Sequence, residues 1–311
     1  MTDTRVLEES DLEEVLDLLR ASLGEPPLLR RTQELFRWKH VDNPFGRSIT
    51  LVAVEDGRIV GLRAFMRWDL STSSGETLRC VRAVDTATHP EYQRRGIFRR
   101  LTEECVEVAT ADGIDMVFNT PNERSKPGYV KMGWQEVGLI GALVRPSIHM
   151  LGKNPGQSLE PERYLRRPRP FDGQSFADRP PRGLRTARTP DYLEWRFARH
   201  PSARYFVAEG GNGSAVLRPN VRRGRPELVI ADVFGNAGDG MAAAKRSAHS
   251  AYLATWFSKG SPERASALRH GFIPVPGLAA LTLVARPLRD LGDTLSTMDA
   301  WDVAVSDFEL L

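Results

Sequence analysis

Apolar and polar positions divide the chain into short elements of changing period. Leu12, Val15, Leu16, Leu18 and Leu19 recur at helical spacing. They predict an amphipathic helix from Ser10 or Asp11 to about Ser22, with Glu13 and Glu14 in its first turn. Arg5–Glu9 ahead of it reads as a strand. Gly24-Glu25-Pro26-Pro27 stops the helix, a second runs from about Thr32 to His40, and Asn43-Pro44-Phe45-Gly46 is a turn. Three strands follow, Ile49–Val54, Ile59–Trp68 and Thr77–Thr88, joined by the hairpin signal Asp56-Gly57 and the polar turn Ser71–Gly75. Ile97, Leu101, Cys105 and Val108 share one face of a helix over 94–111, with Arg99/Glu103 and Arg100/Glu104 paired outside. Met116–Asn119 is a short buried strand. Ser125–Met132 is a short helix closed by Gly133, and Trp134–Val144 is a last strand. The order is β-α-α-β-β-β-α-β-α-β.

Beyond Val144 the pattern changes and then returns. Pro146 to Arg185 is rich in proline and arginine with little periodicity, and reads as a surface connector. After it, Arg31-Thr32-x5-Trp38-Lys39 recurs as Arg188-Thr189-x5-Trp195-Arg196. Asn43-Pro44 recurs as His200-Pro201, Val52-Ala53 as Val207-Ala208, and Leu62-Arg63 as Leu217-Arg218. Gly133-Trp134 returns as Gly271-Phe272, and Arg145-Pro146 as Arg286-Pro287. Matches that keep the same order, the first four at shifts of 155–157 and the last two at 138–141, point to a tandem duplication. The tail from Trp301 to Glu309 is apolar enough to fold back over a domain.

Composition adds limits. The 311 residues suffice for two domains and, at 41% hydrophobic and 27% charged, predict a soluble globule. No apolar run is long enough to span a membrane, and the acidic start has no signal-peptide core. Cys80 and Cys105 read as buried thiols in a reducing, cytoplasmic setting. Six of the 43 basic residues are lysines and the net charge is only +3, so the arginine bias does not argue for nucleic acid. Scattered histidines and the absence of a cysteine pair predict no metal; neither a nucleophile elbow nor a nucleotide P-loop is present.

The chemistry concentrates in Val81–Leu101. A strand breaks at His89-Pro90 and passes through Gln93-Arg94-Arg95-Gly96-Ile97-Phe98 into a helix. Such a turn leaves backbone N–H groups pointing outward at a positive helix end, which is an anion site. Gly96 allows close approach. Downstream, Tyr129 stands four residues before Gly133-Trp134.

Gln93-x-x-Gly96 after the Thr88-His89-Pro90 lead-in, the element order of residues 1–149 and Tyr129 before Gly133-Trp134 together resemble the GNAT acyltransferase superfamily. Phe98, where the motif ends on a small residue, departs from it. The resemblance implies an α/β (α+β) fold of two GNAT-like domains, each a mixed, mostly antiparallel sheet flanked by helices. Residues 1–149 form the acyl-CoA-binding catalytic domain, 150–185 the connector, and 186–311 a degenerate copy with the tail. It also implies acetyl-CoA or another acyl-CoA as co-substrate and no metal. The amides of Arg94, Arg95, Gly96, Ile97 and Phe98, with Gln93, would hold the pyrophosphate. Thr86, Ala87 and Thr88 would pair with the pantetheine arm, and Asn119 and Ser125 would border it.

Tyr129 is the expected acid for the departing thiolate. Asp85 and Glu123 are candidate bases; equally, Asp85 could pair with Arg82 or Arg63 and Glu123 could cap a helix. In the second half, Gly235–Gly240 reads as a glycine-rich loop without Gln-x-x-Gly, and Ala267 stands in for Tyr129. The expected activity is transfer of an acyl group to an amine that attacks the thioester directly. A small-molecule amine is the expected partner, with no membrane or nucleic acid, and a homodimer stays open. An acyl-CoA sensor or an enzyme using a carrier-protein donor are the alternatives.

Overall fold

Strand alternation sets the layers. In 49–55, Ile49, Leu51 and Ala53 pack with the helix Ile97–Ala111, whereas Val52 turns to the helix Leu12–Leu23. The protein, a computed structural model, is described for residues 2–25, 30–147, 159–173, 176–249, 252–275 and 280–308. Pro26-Pro27 of the expected helix stop, 148–158 and 174–175 of the expected connector, and Glu309 of the tail lie outside these residues.

In chain order the elements are β1 Asp3–Val6, α1 Leu12–Leu23, α2 Gln33–His40, β2 Ile49–Glu55, β3 Arg58–Ser71 and β4 Thr77–Thr88. Then come α3 Ile97–Ala111, β5 Met116–Asn119, α4 Lys126–Lys131, β6 Gln135–Ile140 and β7 Ala142–Arg145. The rest is β8 Arg185–Thr186, α5 Pro190–Leu193, β9 Phe206–Gly210, β10 Gly213–Arg222, β11 Arg225–Gly235, α6 Ala237–Ser247, β12 Tyr252–Trp256, α7 Pro262–Arg269, β13 Ile273–Pro274 and β14 Leu281–Pro287.

Two sheets result. One runs β1-β2-β3-β4-β5-β14-β6, with β8 against β3; the other runs β9-β10-β11-β12-β7-β13. In each, one parallel pair stands among antiparallel ones, β4 with β5 and β11 with β12. The expected strand Trp134–Val144 is not continuous. It breaks at Gly141, and its two parts enter different sheets: β6 joins the first, while β7 lies between β12 and β13 of the second. In return β14 lies between β5 and β6. Each sheet is thus completed by a strand from the other half.

The halves also meet at a near-symmetric point. The rings of Trp38 and Trp195 stack with centroids 4.3 Å apart. Each indole N–H donates to the other residue's carbonyl, at 3.0 and 2.9 Å. Thr32 caps α2 by accepting from the Leu35 amide, and Thr189 caps α5 by accepting from the Tyr192 amide. These are the residues whose spacing repeats in the sequence. Around them Trp68, Phe118, Phe197, Trp256 and Trp301 form one apolar core shared by both sheets.

Two expectations need correction. The stretch read as a surface connector is anchored: Tyr164, Leu165 and Phe171 are buried, and Leu165 and Pro170 form bridges to Ala248 and Phe206. The Gly235–Gly240 loop is mostly helix. Asn236 accepts from the Asp239 amide and starts α6 at once, a cap that outweighs the poor helix propensity of Gly238 and Gly240.

Residues 1–147 expressed alone would carry β5 and β6 without the strand that joins them. They should fail to melt cooperatively, whereas co-expression with 148–311 should yield a soluble, co-purifying pair; an independently cooperative first half would contradict the exchange. Trp195→Ala should cost about 3–5 kcal/mol in urea unfolding.

Candidate active site

β4 and β5 pair only over Cys80–Arg82 and Met116–Phe118. Beyond that they diverge. On its other edge β4 stays paired with β3 up to Gly61↔Thr88, with a bulge that sets Asp85 and Thr86 opposite Arg63. Asp85 takes φ +41° there. A cleft of about 690 Å³ opens between the diverging strands. Its lining includes Thr86, Ala87, Thr88, Gln93, Arg94, Gly96, Ile97, Phe98, Asn119, Ser125 and Tyr129, with Asp85 as its one carboxylate among the described residues.

The turn into α3 behaves as an anion site should. Gly96 caps the helix at φ +78° without any side-chain cap. The amides of residues 94–99 make no hydrogen bond to backbone or side chain among the described residues. The Gln93 side chain donates to the Thr88 carbonyl at 3.4 Å, and the Ser22 hydroxyl to the same oxygen at 3.0 Å, fixing the lip of β4. Arg95 is turned away: its side chain reaches Glu55 and lies over the Tyr92 ring. Phe98 packs inward, edge-on to Tyr129 with centroids 5.6 Å apart. A Cβ at Gly128 would stand 2.9 Å from its ring, so α4 comes this near only because residue 128 has no side chain. The ring is therefore part of the wall rather than an obstruction.

Asn119 ends β5, is buried, and its Oδ1 has no hydrogen-bond partner among the described residues. A buried acceptor left open at the cleft suits a ligand N–H. With the free amides it makes a coherent fit for an acyl-CoA, whose pyrophosphate and pantetheine amides need those groups.

Tyr129 is buried in α4, held by Phe98 and Trp134, and its hydroxyl accepts from Arg63 at 2.8 Å. The two candidate bases are placed otherwise than expected. Asp85 accepts from Lys39 at 2.8 Å, and His40 Nε2 lies 3.0 Å from it; Arg31 is 3.8 Å away. Burial alone would raise its pKa, but the Lys39 charge and the His40 hydrogen bond outweigh that and hold it far below the carboxylate range. Such a group is a counter-ion, not a base, and its partners are neither Arg82 nor Arg63. Glu123 is exposed and does not line the cleft. The sequence reading missed Arg63, Lys39 and His40; a charged residue inside the apolar run of β3 was the signal for the first.

The second sheet repeats this geometry with the opening filled. β11 and β12 pair over Glu227–Val229 and Tyr252–Ala254, then diverge. The segment Trp301–Phe308 lies between them. Ala304 bridges Phe257, the Ser258 amide donates to Val303, and Ser306 donates to Asp232 at 2.9 Å. Asn236 and Asp239 occupy the start of α6, where α3 has a bare glycine. Ala267 is fully buried. Among the described residues no group of three His, Cys, Asp or Glu side chains could hold a metal ion, and no helix is long and apolar enough to cross a membrane.

His40 gives a pH test. Its burial lowers its pKa against the raising effect of Asp85. The unfolded chain, near pKa 6.5, therefore binds the proton more readily. Its contribution to stability is present above about pH 6.5 and is lost as the pH falls below it. Asp85, also lowered, adds a further loss below about pH 4. The melting temperature should drop between pH 7 and 5, and His40→Asn should flatten that slope. Asp85→Asn, which strands a buried Lys39, should cost about 3–5 kcal/mol at pH 7.

Residues 3–137 match the family model described as an acetyltransferase (GNAT) domain. The chain is 30% identical over 135 residues to glucosamine 6-phosphate N-acetyltransferase of Trypanosoma brucei brucei, covering 43% of this chain and 88% of that one. Its fold resembles a GCN5-related N-acetyltransferase from Anabaena variabilis, with TM-score 0.65 and 11% identity over 93% of this chain and 73% of that one. It also resembles Eis1 from Mycobacterium abscessus, with TM-score 0.61 and 12% identity over 93% and 74% of the two chains. On the similarity to the trypanosomal enzyme and the match to the domain model, the chain belongs to the GNAT acetyltransferase superfamily.

Proposed function

We propose that the open cleft binds acetyl-CoA or a related acyl-CoA and transfers its acyl group to a small primary amine, and that the filled one does not turn over. The observation that carries this reading is the conjunction at one cleft: unbonded amides at 94–99, the open acceptor of Asn119, and the Tyr129 hydroxyl. The amides and the N-terminus of α3 neutralise pyrophosphate. Thr86, Ala87 and Thr88, which have no strand beside them on the side facing the opening, receive the pantetheine as an added strand.

The acceptor nitrogen bonds the acyl carbon and the carbon–sulfur bond breaks. Tyr129 gives its proton to the departing sulfur and regains one from solvent. Asp85 is held ionised by its neighbours, so water takes the ammonium proton before attack and the N–H proton that the nitrogen sheds on becoming an amide, and the acceptor reacts as the free amine. The trypanosomal relative's name makes an amino-sugar phosphate the first acceptor to try.

In this reading the halves are two copies of one unit, 1–149 and 186–311, that have exchanged their last strands. The tail supports it by standing where the donor would lie in the second copy.

Calorimetry with CoA and acetyl-CoA, followed by thiol release with a panel of amines, tests the function; no heat and no release with any pair would end it. Tyr129→Phe should lower kcat by about 10²-fold or more with donor affinity retained. Gly96→Val, forced into a left-handed conformation, should weaken CoA binding at least tenfold while the protein stays folded. The pH dependence of kcat/KM should follow the acceptor: a more basic amine should move the rising limb to higher pH by the difference between the two amines.

A further inference from the structure

Arg63 sits at the centre of β3, opposite the bulge in β4, and is fully buried. One Nη donates to Tyr129 Oη at 2.8 Å and also reaches Thr86 Oγ1. Its guanidinium carbon lies 5.0, 5.7 and 5.2 Å from the ring centroids of Phe65, Phe98 and Tyr129. No carboxylate among the described residues pairs with it, and its Nε and remaining Nη have no hydrogen-bond partner. Arg185, also buried, pairs with Asp178, and the half-buried Arg188 pairs with Asp178 and Asp232. A buried cation without a counter-ion is costly, and the aromatic faces around Arg63 recover only part of that cost. Stability alone gives no reason for it.

We propose that Arg63 is a positioning residue that supplies the missing half of an ion pair which exists only during the reaction. The phenol oxygen accepts from Arg63, so its single hydrogen is left for an acceptor on the other side. Tyr129 lines the cleft, and that other side is the cleft. When the carbon–sulfur bond breaks, the O–H bond of Tyr129 breaks and an S–H bond forms. The negative charge moves from sulfur to Oη, where a guanidinium already stands 2.8 Å away. A charge fixed before the reaction needs no reorganisation when the opposite charge develops. Arg63 keeps all its protons throughout, and Tyr129 is reprotonated from solvent.

This rests on the reading of Tyr129 as the acid, and a double-mutant comparison separates the two. With the purified full chain, acyl-CoA and one active amine, Arg63→Met should lower kcat about 10²-fold, with the KM for acyl-CoA and the Kd for CoA unchanged. In a Tyr129→Phe background the same change should have no further effect. Arg63→Lys should lose less than the Met variant and also be silent in the Phe background. It carries the comparison if thermal melting shows that the Met variant is unfolded. A merely structural arginine would slow both backgrounds by the same factor, or weaken CoA binding in parallel, and either result overturns the proposal. Tyr129→Phe at the parental rate ends the acid assignment itself, whatever Arg63 does.

Discussion

Everything in this molecule follows from two parallel strand pairs that part after three residues. Diverging strands leave backbone groups unpaired inside the protein, and buried amides and carbonyls must find partners. β11 and β12 find one in the chain itself: residues 301–308 enter between them, and Ser258, Phe257 and Asp232 bond to the inserted segment. β4 and β5 receive no such insert among the described residues, and the opening is continuous with the free amides before α3. The same divergence therefore yields a filled seam in one half and a cleft in the other. The tail couples them, because the Phe308 carbonyl accepts from Arg82, the last residue of β4 that pairs with β5.

The exchange of β7 and β14 makes the two openings interdependent. β5 is held on its far side by β14, a strand that follows α7 in the chain. Asn119 pairs with Val284, so the residue that closes the floor of the first cleft is positioned by the second half. A parallel strand with one neighbour over three residues would be poorly fixed. β14 supplies a second antiparallel ladder, and the reciprocal Trp38 and Trp195 bonds keep the halves in register.

Local features were legible in the sequence. The lead-in from Thr88, the bare glycine at 96 and the helix of Tyr129 all express short-range rules of turns and period. The matching spacing around Trp38 and Trp195 was visible as well, and these two residues bond each other where the halves meet. What could not be read is non-local. Nothing within Trp134–Val144 says that its two ends join different sheets, since both read as strand and Gly141 is one glycine among many. The anchoring of Tyr164 and Phe171 was hidden in the same way, in a stretch whose prolines masked two buried rings.

Charge shows this limit most clearly. Asp85 and Arg63 face each other across the bulge in neighbouring strands, and from sequence they could be one ion pair. They are not. Asp85 goes to Lys39 and His40 from α2, and Arg63 goes to Tyr129 from α4. The carboxylate is satisfied and loses its basicity, while the guanidinium is left without an anion next to the one hydroxyl able to become one. Had the two paired, the cleft would hold a neutralised arginine and an ordinary tyrosine. Divided as they are, Asp85 is neutralised by α2, and in the proposed reaction Arg63 is free to meet the charge that forms on Tyr129.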